Sequence, residues 1–142
     1  GYPVVDFKIN LTFGSYHTVD SSEMAFKIAG SMAFQKGVMD CQPILLEPIV
    51  NIEIEVPDEY MGDVIGDLNS RRGRVQGMDA KGSNQIIKGQ VPLAEILKYA
   101  PDLRSMTSGR GNFTYTHSHY EEVPAFIAEK IIAAYKKDKE EE

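Results

Sequence analysis

The chain has 142 residues, of which 25% are charged, and a formal net charge of −6. That length allows one ordinary domain or two small ones. No apolar run approaches the roughly 20 residues of a membrane-spanning helix, and the amino terminus lacks the basic and apolar regions of a signal peptide. Because the single Cys41 has no partner for an internal disulfide, we expect a cytoplasmic protein without membrane association.

The charge is distributed unevenly along the chain. Residues 1–69 carry 3 basic and 11 acidic side chains, residues 70–110 carry 8 and 3, and residues 111–142 carry 4 and 7. A basic middle between acidic flanks indicates an anionic partner for that part of the chain. An unevenly charged, solvated surface without a partner is an equally good interpretation of the same pattern.

The first predicted element is a strand. Residues 4–13 alternate between apolar and polar side chains, which is typical of a strand with one buried face. Asp20 and Glu23 then have the spacing of a capping box, which predicts the start of a helix that ends at Gly37. One strand and one helix are too small to bury a core, so residues 1–42 require either further structure or the final helix of the chain.

The rest of the chain alternates regularly between strand and helix patterns. Strands are predicted over 50–56, 74–79, 85–91 and 112–119, and helices over 57–73 and from Pro92 onward, with a break at Pro101. This β-α-β-β-α-β order is that of the ferredoxin-like split β-α-β arrangement. A last helix begins at Pro124, and we expect the chain to fray from Lys136.

Six sequence motifs occur here in the order in which they occur in one protein family. They are GSYHTVDSSEMAFK at 14–27, LLEPI at 45–49, YMGDVIGDLNSRRG at 60–73, VPLAE at 91–95, DLRS at 102–105 and TSGRG at 107–111. Together they resemble the carboxy-terminal part of bacterial elongation factor G, from its fourth domain through its fifth. The resemblance extends from about residue 2 to about residue 135, which is nearly the whole chain.

The resemblance implies an α+β fold in three segments. Residues 1–46 would be part of the fourth domain, with a strand, a tip loop and a helix. Residues 47–121 would be the ferredoxin-like fifth domain, and residues 122–142 a C-terminal helix and acidic tail, with the helix packed back on the first segment. The chain would then start inside the fourth domain, without the earlier strands of that domain.

The resemblance also implies a function in protein synthesis. Elongation factor G is a GTPase that moves transfer RNA and messenger RNA through the ribosome. Its fourth domain reaches the decoding centre, and its fifth domain contacts large-subunit ribosomal RNA. The expected partner is therefore the ribosome, and we expect the chain to be a monomer.

The tip loop supplies the residues expected to contact transfer RNA, namely Ser15, Tyr16 and His17. Tyrosine and histidine side chains can stack on exposed bases and hydrogen-bond to 2′-hydroxyls. Judged from the residues alone, an exposed loop histidine without a role is the more frequent case, and the resemblance reverses that preference.

Six cations of the predicted fifth domain are expected to pair with ribosomal RNA phosphates. They are Arg71, Arg72, Arg74, Lys81, Arg104 and Arg110. Arg71 and Arg72 also lie at the predicted end of a helix, where a cation stabilises the helix dipole by roughly 0.3 kcal/mol or more. The two roles are compatible with each other.

The chain contains no G-x-x-x-x-G-K-[ST] phosphate loop. We therefore expect it to have no GTPase activity or cofactor of its own, with GTP and Mg²⁺ bound by a separate domain of the parent protein. His117 and His119 alternate onto one face of a strand, but two ligands are too few for a metal site, so a structural pair is favoured.

Two alternatives from other functional classes remain open on the sequence. One is a stand-alone ferredoxin-like module that binds a small regulatory ligand or a protein. The other is an enzyme that uses His17 as a general base, although the sequence positions no partner group for it.

Overall fold

The structure is a computed structural model that describes residues 2–140, with side chains through residue 138. The chain divides into two compact units, one made of residues 1–44 with 126–142 and the other of residues 45–125. The C-terminal helix thus belongs to the same unit as the amino-terminal segment. Among the described residues, no helix combines the length and the apolar character needed to cross a membrane.

The strand predicted over 4–13 is wrong. The segment forms no strand, because a strand needs a neighbour to complete its hydrogen-bond ladder and no described segment pairs with it. Its apolar side chains are accordingly exposed, with Leu11 at 92% and Phe13 at 86% of their full accessibility. The Phe7 ring contacts the Phe34 ring, with centroids 5.3 Å apart.

Helix α1 (Glu23–Asp40) begins and ends elsewhere than predicted. Its N-cap is Ser22, whose hydroxyl accepts a hydrogen bond from the Ala25 amide at 3.1 Å, so the predicted Asp20 cap is wrong. The helix also continues past Gly37. A glycine inside a helix costs about 1 kcal/mol relative to alanine, which the rest of an 18-residue helix can offset.

The second unit has the predicted ferredoxin-like arrangement, which the structure confirms. Four strands form one antiparallel sheet in the order β2-β3-β1-β4. The elements are β1 (Leu46–Pro57), a 3₁₀ turn (Asp58–Tyr60), α2 (Met61–Ser70), β2 (Arg74–Lys81), β3 (Asn84–Pro92), α3 (Leu93–Ile96), α4 (Tyr99–Met106) and β4 (Asn112–Glu122). Helix α5 (Ala125–Glu140) follows and belongs to the first unit.

The core of the second unit lies between one face of the sheet and the helices. Alternate residues of β1 point into it, and Ile54 and Val56 have no exposed surface. Helix α2 buries Val64 and Leu68, which are one helical turn apart. Each such side chain contributes about 2 kcal/mol on removal from water.

The helix is interrupted as predicted, but at residues 97–98 rather than at Pro101. Helix α3 ends at Ile96 and α4 begins at Tyr99, so the proline occupies the first turn of α4. A proline there removes no helical hydrogen bond, because the first amides of a helix have no partner within it. The fraying expected from Lys136 is wrong, since α5 continues to Glu140.

The end of α2 is fixed by a left-handed residue and an ion pair. Arg72 has a φ of +61°, and the amide of Gly73 donates to the carbonyl of Leu68 at 2.8 Å. A Cβ at Gly73 would lie 2.6 Å from that carbonyl oxygen, so only glycine fits there. The Arg72 guanidinium donates to both carboxylate oxygens of Glu47 at 2.7 Å and to Glu95 at 3.2 Å. One side chain therefore ties α2 to β1 and α3.

Tyr99 is the largest fully buried side chain of this unit. Its ring meets the Phe113 ring edge-on with centroids 5.1 Å apart, and the Arg71 guanidinium lies 5.0 Å above it. Among the described residues its hydroxyl has no hydrogen-bond partner. Burial raises the pKa of Tyr99 to about 12.

We expect Tyr99→Phe to leave the free energy of unfolding unchanged or to raise it by up to about 1 kcal/mol, because it removes an unpaired buried hydroxyl. Tyr99→Leu should lower it by about 2 kcal/mol, through the loss of the ring contacts with Phe113 and Arg71. Urea denaturation followed by circular dichroism measures both. A loss above about 1 kcal/mol in Tyr99→Phe would reveal a partner for the hydroxyl and contradict this account.

The relative stabilities of two variants at Arg72 test the roles of its ion pair and of its left-handed backbone. Arg72→Ala should lower the free energy of unfolding by about 2 kcal/mol, since Glu47 keeps only 12% side-chain exposure and loses its bidentate partner. Arg72→Gly should cost about 1 kcal/mol less than Arg72→Ala, because glycine adopts a positive φ without strain. Urea denaturation measures the free energy of unfolding of both variants. A glycine variant less stable than the alanine variant would contradict the prediction.

Candidate nucleic-acid interface

The predicted tip loop is closed by two reciprocal hydrogen bonds. The His17 amide donates to the Ser21 hydroxyl at 2.8 Å, and the Ser21 amide donates to the His17 carbonyl at 2.9 Å. Ser22 then caps α1. The loop backbone is therefore held between its closing turn and the helix start, and Ser22 fills the capping role that the sequence pattern attributed to Asp20.

The three predicted tip residues lie together and are exposed. The Tyr16 ring stacks on Phe26 of α1, with centroids 6.4 Å apart and planes 13° from parallel, and remains 66% exposed. Ser15 and His17 are exposed as well, and no described residue hydrogen-bonds to the His17 imidazole. Both rings are thus exposed, and no described residue orients the His17 imidazole through a hydrogen bond, which a general base would use.

Arg71 is engaged inside the second unit. Its guanidinium donates to Asp67 at 2.8 Å, to the Glu95 carbonyl at 3.0 Å and to Asp102 at 2.7 Å. Its side chain is 19% exposed, and the hydrogen bond to Asp67 is the main cause that raises the pKa of Arg71. Arg71 and Arg72 thus share an internal role, as links between helices and sheet.

Three further predicted cations make exposed ion pairs. Arg74 pairs with Glu121 at 3.0 Å and Lys81 pairs with Glu55 at 3.0 Å. Arg110 pairs with Glu59, hydrogen-bonds to the Tyr60 hydroxyl and lies 4.9 Å above the Tyr60 ring. Exposed pairs of this kind contribute about 0–1 kcal/mol each, so a phosphate can replace the carboxylate at low cost.

Arg104 differs from the other five predicted cations. It is exposed on α4 and makes no ion pair with any described residue. Lys98, just before α4, is exposed and unpaired in the same sense, and the sequence interpretation did not single it out. Its position at a break between two short helices is the signal that could have identified it.

The six cations do not form one patch. Arg74 begins β2 and Lys81 ends it, which separates their backbones by about 23 Å at the usual rise of a strand. Arg71 and Arg72 lie between the end of α2 and Arg74. Three arginines therefore lie near the start of β2, Lys81 lies at its other end, and Arg104 and Arg110 lie on and after α4.

His117 and His119 do not share one face, contrary to the sequence pattern. In the pairing with β1, Ile49 lies opposite His119 and Val50 opposite His117, so Ser118 is the extra residue of a bulge. His119 Nε2 lies 2.8 Å from a carboxylate oxygen of Glu121. That hydrogen bond is the main cause that lowers the pKa of Glu121. No group of three metal-ligating side chains occurs in the part of the chain that the structure describes.

A cleft of about 260 Å³ lies near the starts of β1 and β2 and the ends of β3 and β4. Four of its five charged lining residues are already paired, Arg72 with Glu47 and Arg74 with Glu121, and the fifth is Glu122. A small polar ligand would have to break these pairs, which weighs against the alternative of a ligand-binding module.

Comparison with known proteins covers both units. The family model for the elongation factor G C-terminus matches residues 44–131, and the model for elongation factor G domain IV matches residues 1–42. A crystal structure of a protein from Thermus thermophilus is similar, with 45% sequence identity and a TM-score of 0.74. That similarity covers 88% of this chain and 19% of the other, so this chain spans about a fifth of its length. The chain belongs to the elongation factor G family and carries sequence of its domain IV and of its C-terminal domain.

Proposed function

We propose that this chain is the RNA-contacting end of a translational translocase, which acts on the ribosome during GTP-driven movement of transfer RNA and messenger RNA. Family membership supports the proposal. The observation that carries it further is the tip loop, whose backbone is closed by two hydrogen bonds while its rings stay exposed. In this proposal Ser15, Tyr16 and His17 contact transfer RNA at the decoding centre.

The tip loop is suited to such a contact because little of it must be ordered on binding. The turn from His17 to Ser21 already fixes the backbone, and Phe26 supports one face of the Tyr16 ring. Preorganisation of this kind reduces the conformational entropy lost in an interface. The other face of Tyr16 and the His17 imidazole can then stack on bases or hydrogen-bond to 2′-hydroxyls.

For the ferredoxin-like unit we propose phosphate contacts to large-subunit ribosomal RNA. Arg104 is available without rearrangement, and Arg74, Lys81 and Arg110 can exchange exposed carboxylates for phosphates. Arg71 and Arg72 belong to the same proposed set, but their pairs with acidic side chains must break first. We therefore expect the exposed cations to contribute more to RNA affinity than these two arginines.

The proposed division of labour leaves the chemistry elsewhere in the parent protein. This chain carries sequence of the non-catalytic domain IV and C-terminal domain, so GTP and Mg²⁺ are proposed to bind in a separate domain. The chain would position RNA as a monomer in the cytoplasm. A GTPase assay of the chain should give background turnover, and GTP hydrolysis above background would contradict this part of the proposal.

The chain should sediment with bacterial ribosomes at low salt, and the bound fraction should fall steeply as salt rises, because phosphate contacts release counterions. His17→Ala should weaken that binding about tenfold, the cost of one lost stacking contact. Its free energy of unfolding should change by less than about 0.5 kcal/mol, because the exposed imidazole has no described hydrogen-bond partner.

The matched control is Thr18→Ala, which alters an exposed neighbour in the same loop and should bind ribosomes like the unchanged chain. Equal weakening by both substitutions would assign the effect to the loop backbone rather than to His17. Complete absence of binding at low salt would refute the proposed function.

A further inference from the structure

Strand β4 carries a row of aromatic side chains that the core does not use. It pairs with β1 alone, so it is an edge of the sheet. Tyr115 is 51% exposed and Tyr120 61% exposed, and His117 between them is exposed too. We call Tyr115, His117 and Tyr120 the β4 flank. Large aromatic groups normally contribute most of their stabilisation through burial, which these three forgo.

The rings of the β4 flank are arranged in two contacts along the strand. Tyr115 stacks on Phe113, with centroids 6.3 Å apart and planes 16° from parallel. His117 lies against Tyr120, with centroids 5.1 Å apart. The bulge at Ser118 makes the second contact possible, because it shifts the alternation by one residue and brings residue 120 beside residue 117. The exposed rings thus form two neighbouring pairs along the strand.

The charge along this row changes from one end to the other. From residue 103 to residue 119 the sequence contains Arg104 and Arg110 and no acidic side chain, whereas Glu121 and Glu122 follow Tyr120 directly. Helix α4 packs on β4 through the contact of Tyr99 with Phe113. Successive helical residues turn by about 100°, so Asp102 and Arg104 of α4 point about 200° apart. Since Asp102 faces Arg71 at the end of α2, Arg104 lies on the side away from α2, towards the β4 edge.

We propose that the β4 flank is a stacking surface for single-stranded RNA, with Arg104 as its phosphate contact. The inference rests on the proposed function only in that RNA is the partner of the chain. The residues of the flank are different from those of the tip loop. Alternate residues of a strand advance about 6.8 Å, which matches two stacked bases at about 3.4 Å each. Exposed aromatic rings beside an unpaired cation are the combination that binds single strands without reading sequence.

The test uses the full chain and fluorescein-labelled oligouridylate, with fluorescence anisotropy measured over a series of salt concentrations. The double variant Tyr115→Ala, Tyr120→Ala should bind at least about tenfold more weakly, since each stacked base is lost with its ring. Tyr115→Phe keeps the ring and should bind normally. Arg104→Gln should make the slope of log affinity against log salt shallower by about 0.7, the value for one phosphate contact on a single strand.

Tyr2→Ala is the matched control, because Tyr2 is 64% exposed and lies outside the flank. Thermal melts of all variants show whether they remain folded, and Tyr115→Phe separates ring loss from misfolding. Equal binding by the double alanine variant and the unchanged chain would overturn the proposal. The proposal would also be overturned if the chain bound an oligouridylate–oligoadenylate duplex more tightly than single-stranded oligouridylate, or if it bound no oligouridylate at low salt. A third contrary result would be an extended peptide that binds at the β4 edge and is not displaced by RNA.

Ribosome sedimentation of the same variants separates this proposal from the proposed function. If the double alanine variant loses neither oligouridylate nor ribosome binding, the flank proposal fails and the translocase proposal is untouched. If the unchanged chain binds oligouridylate through the flank but does not sediment with ribosomes, the translocase proposal fails and the flank proposal stands.

Discussion

The bidentate contact between Arg72 and Glu47 ties helix α2 to the sheet of the ferredoxin-like unit and constrains how its helices are placed. Arg72 lies just after α2, and Glu47 lies near the start of β1, so the ion pair joins that helix to that strand. The contact of Arg72 with Glu95 extends the link to α3. Arg71 continues the same link to α4 through Asp102. Arg72 holds a left-handed backbone conformation that an ordinary residue adopts at a cost of about 1 kcal/mol. The ion pair offsets that cost and fixes where the helices sit over the sheet.

The alternation of strand and helix patterns after residue 48 was enough to predict this unit, and β1 and β3 carry the clearest patterns of buried and exposed residues. The same pattern over 4–13 predicted a strand that does not form. Alternation describes which side chains a strand would bury, but pairing needs a neighbour that local sequence does not supply. The bulge at Ser118 escaped prediction for the same reason, since it is a property of two paired strands.

The contacts of the candidate residues could not be predicted from the sequence. A motif located the tip residues and the predicted fifth domain supplied the six cations, and in the structure Tyr16 and His17 are exposed. What the sequence could not provide were the acidic partners: Glu47, Glu55 and Glu121 lie at least 25 residues away from the cations that they bind. A count of basic residues therefore overstates the positive charge that this unit offers to a partner.

Paired cations and exposed aromatic rings are two different ways of building an RNA-binding surface. A cation that stabilises the fold through a carboxylate must give up that partner before it binds phosphate, so affinity and stability compete at Arg71 and Arg72. An exposed aromatic row carries no such conflict, because a ring face has no hydrogen bond to surrender. Stacking on Tyr115 and Tyr120 would add to affinity while the ion pairs that hold the helices to the sheet remain intact.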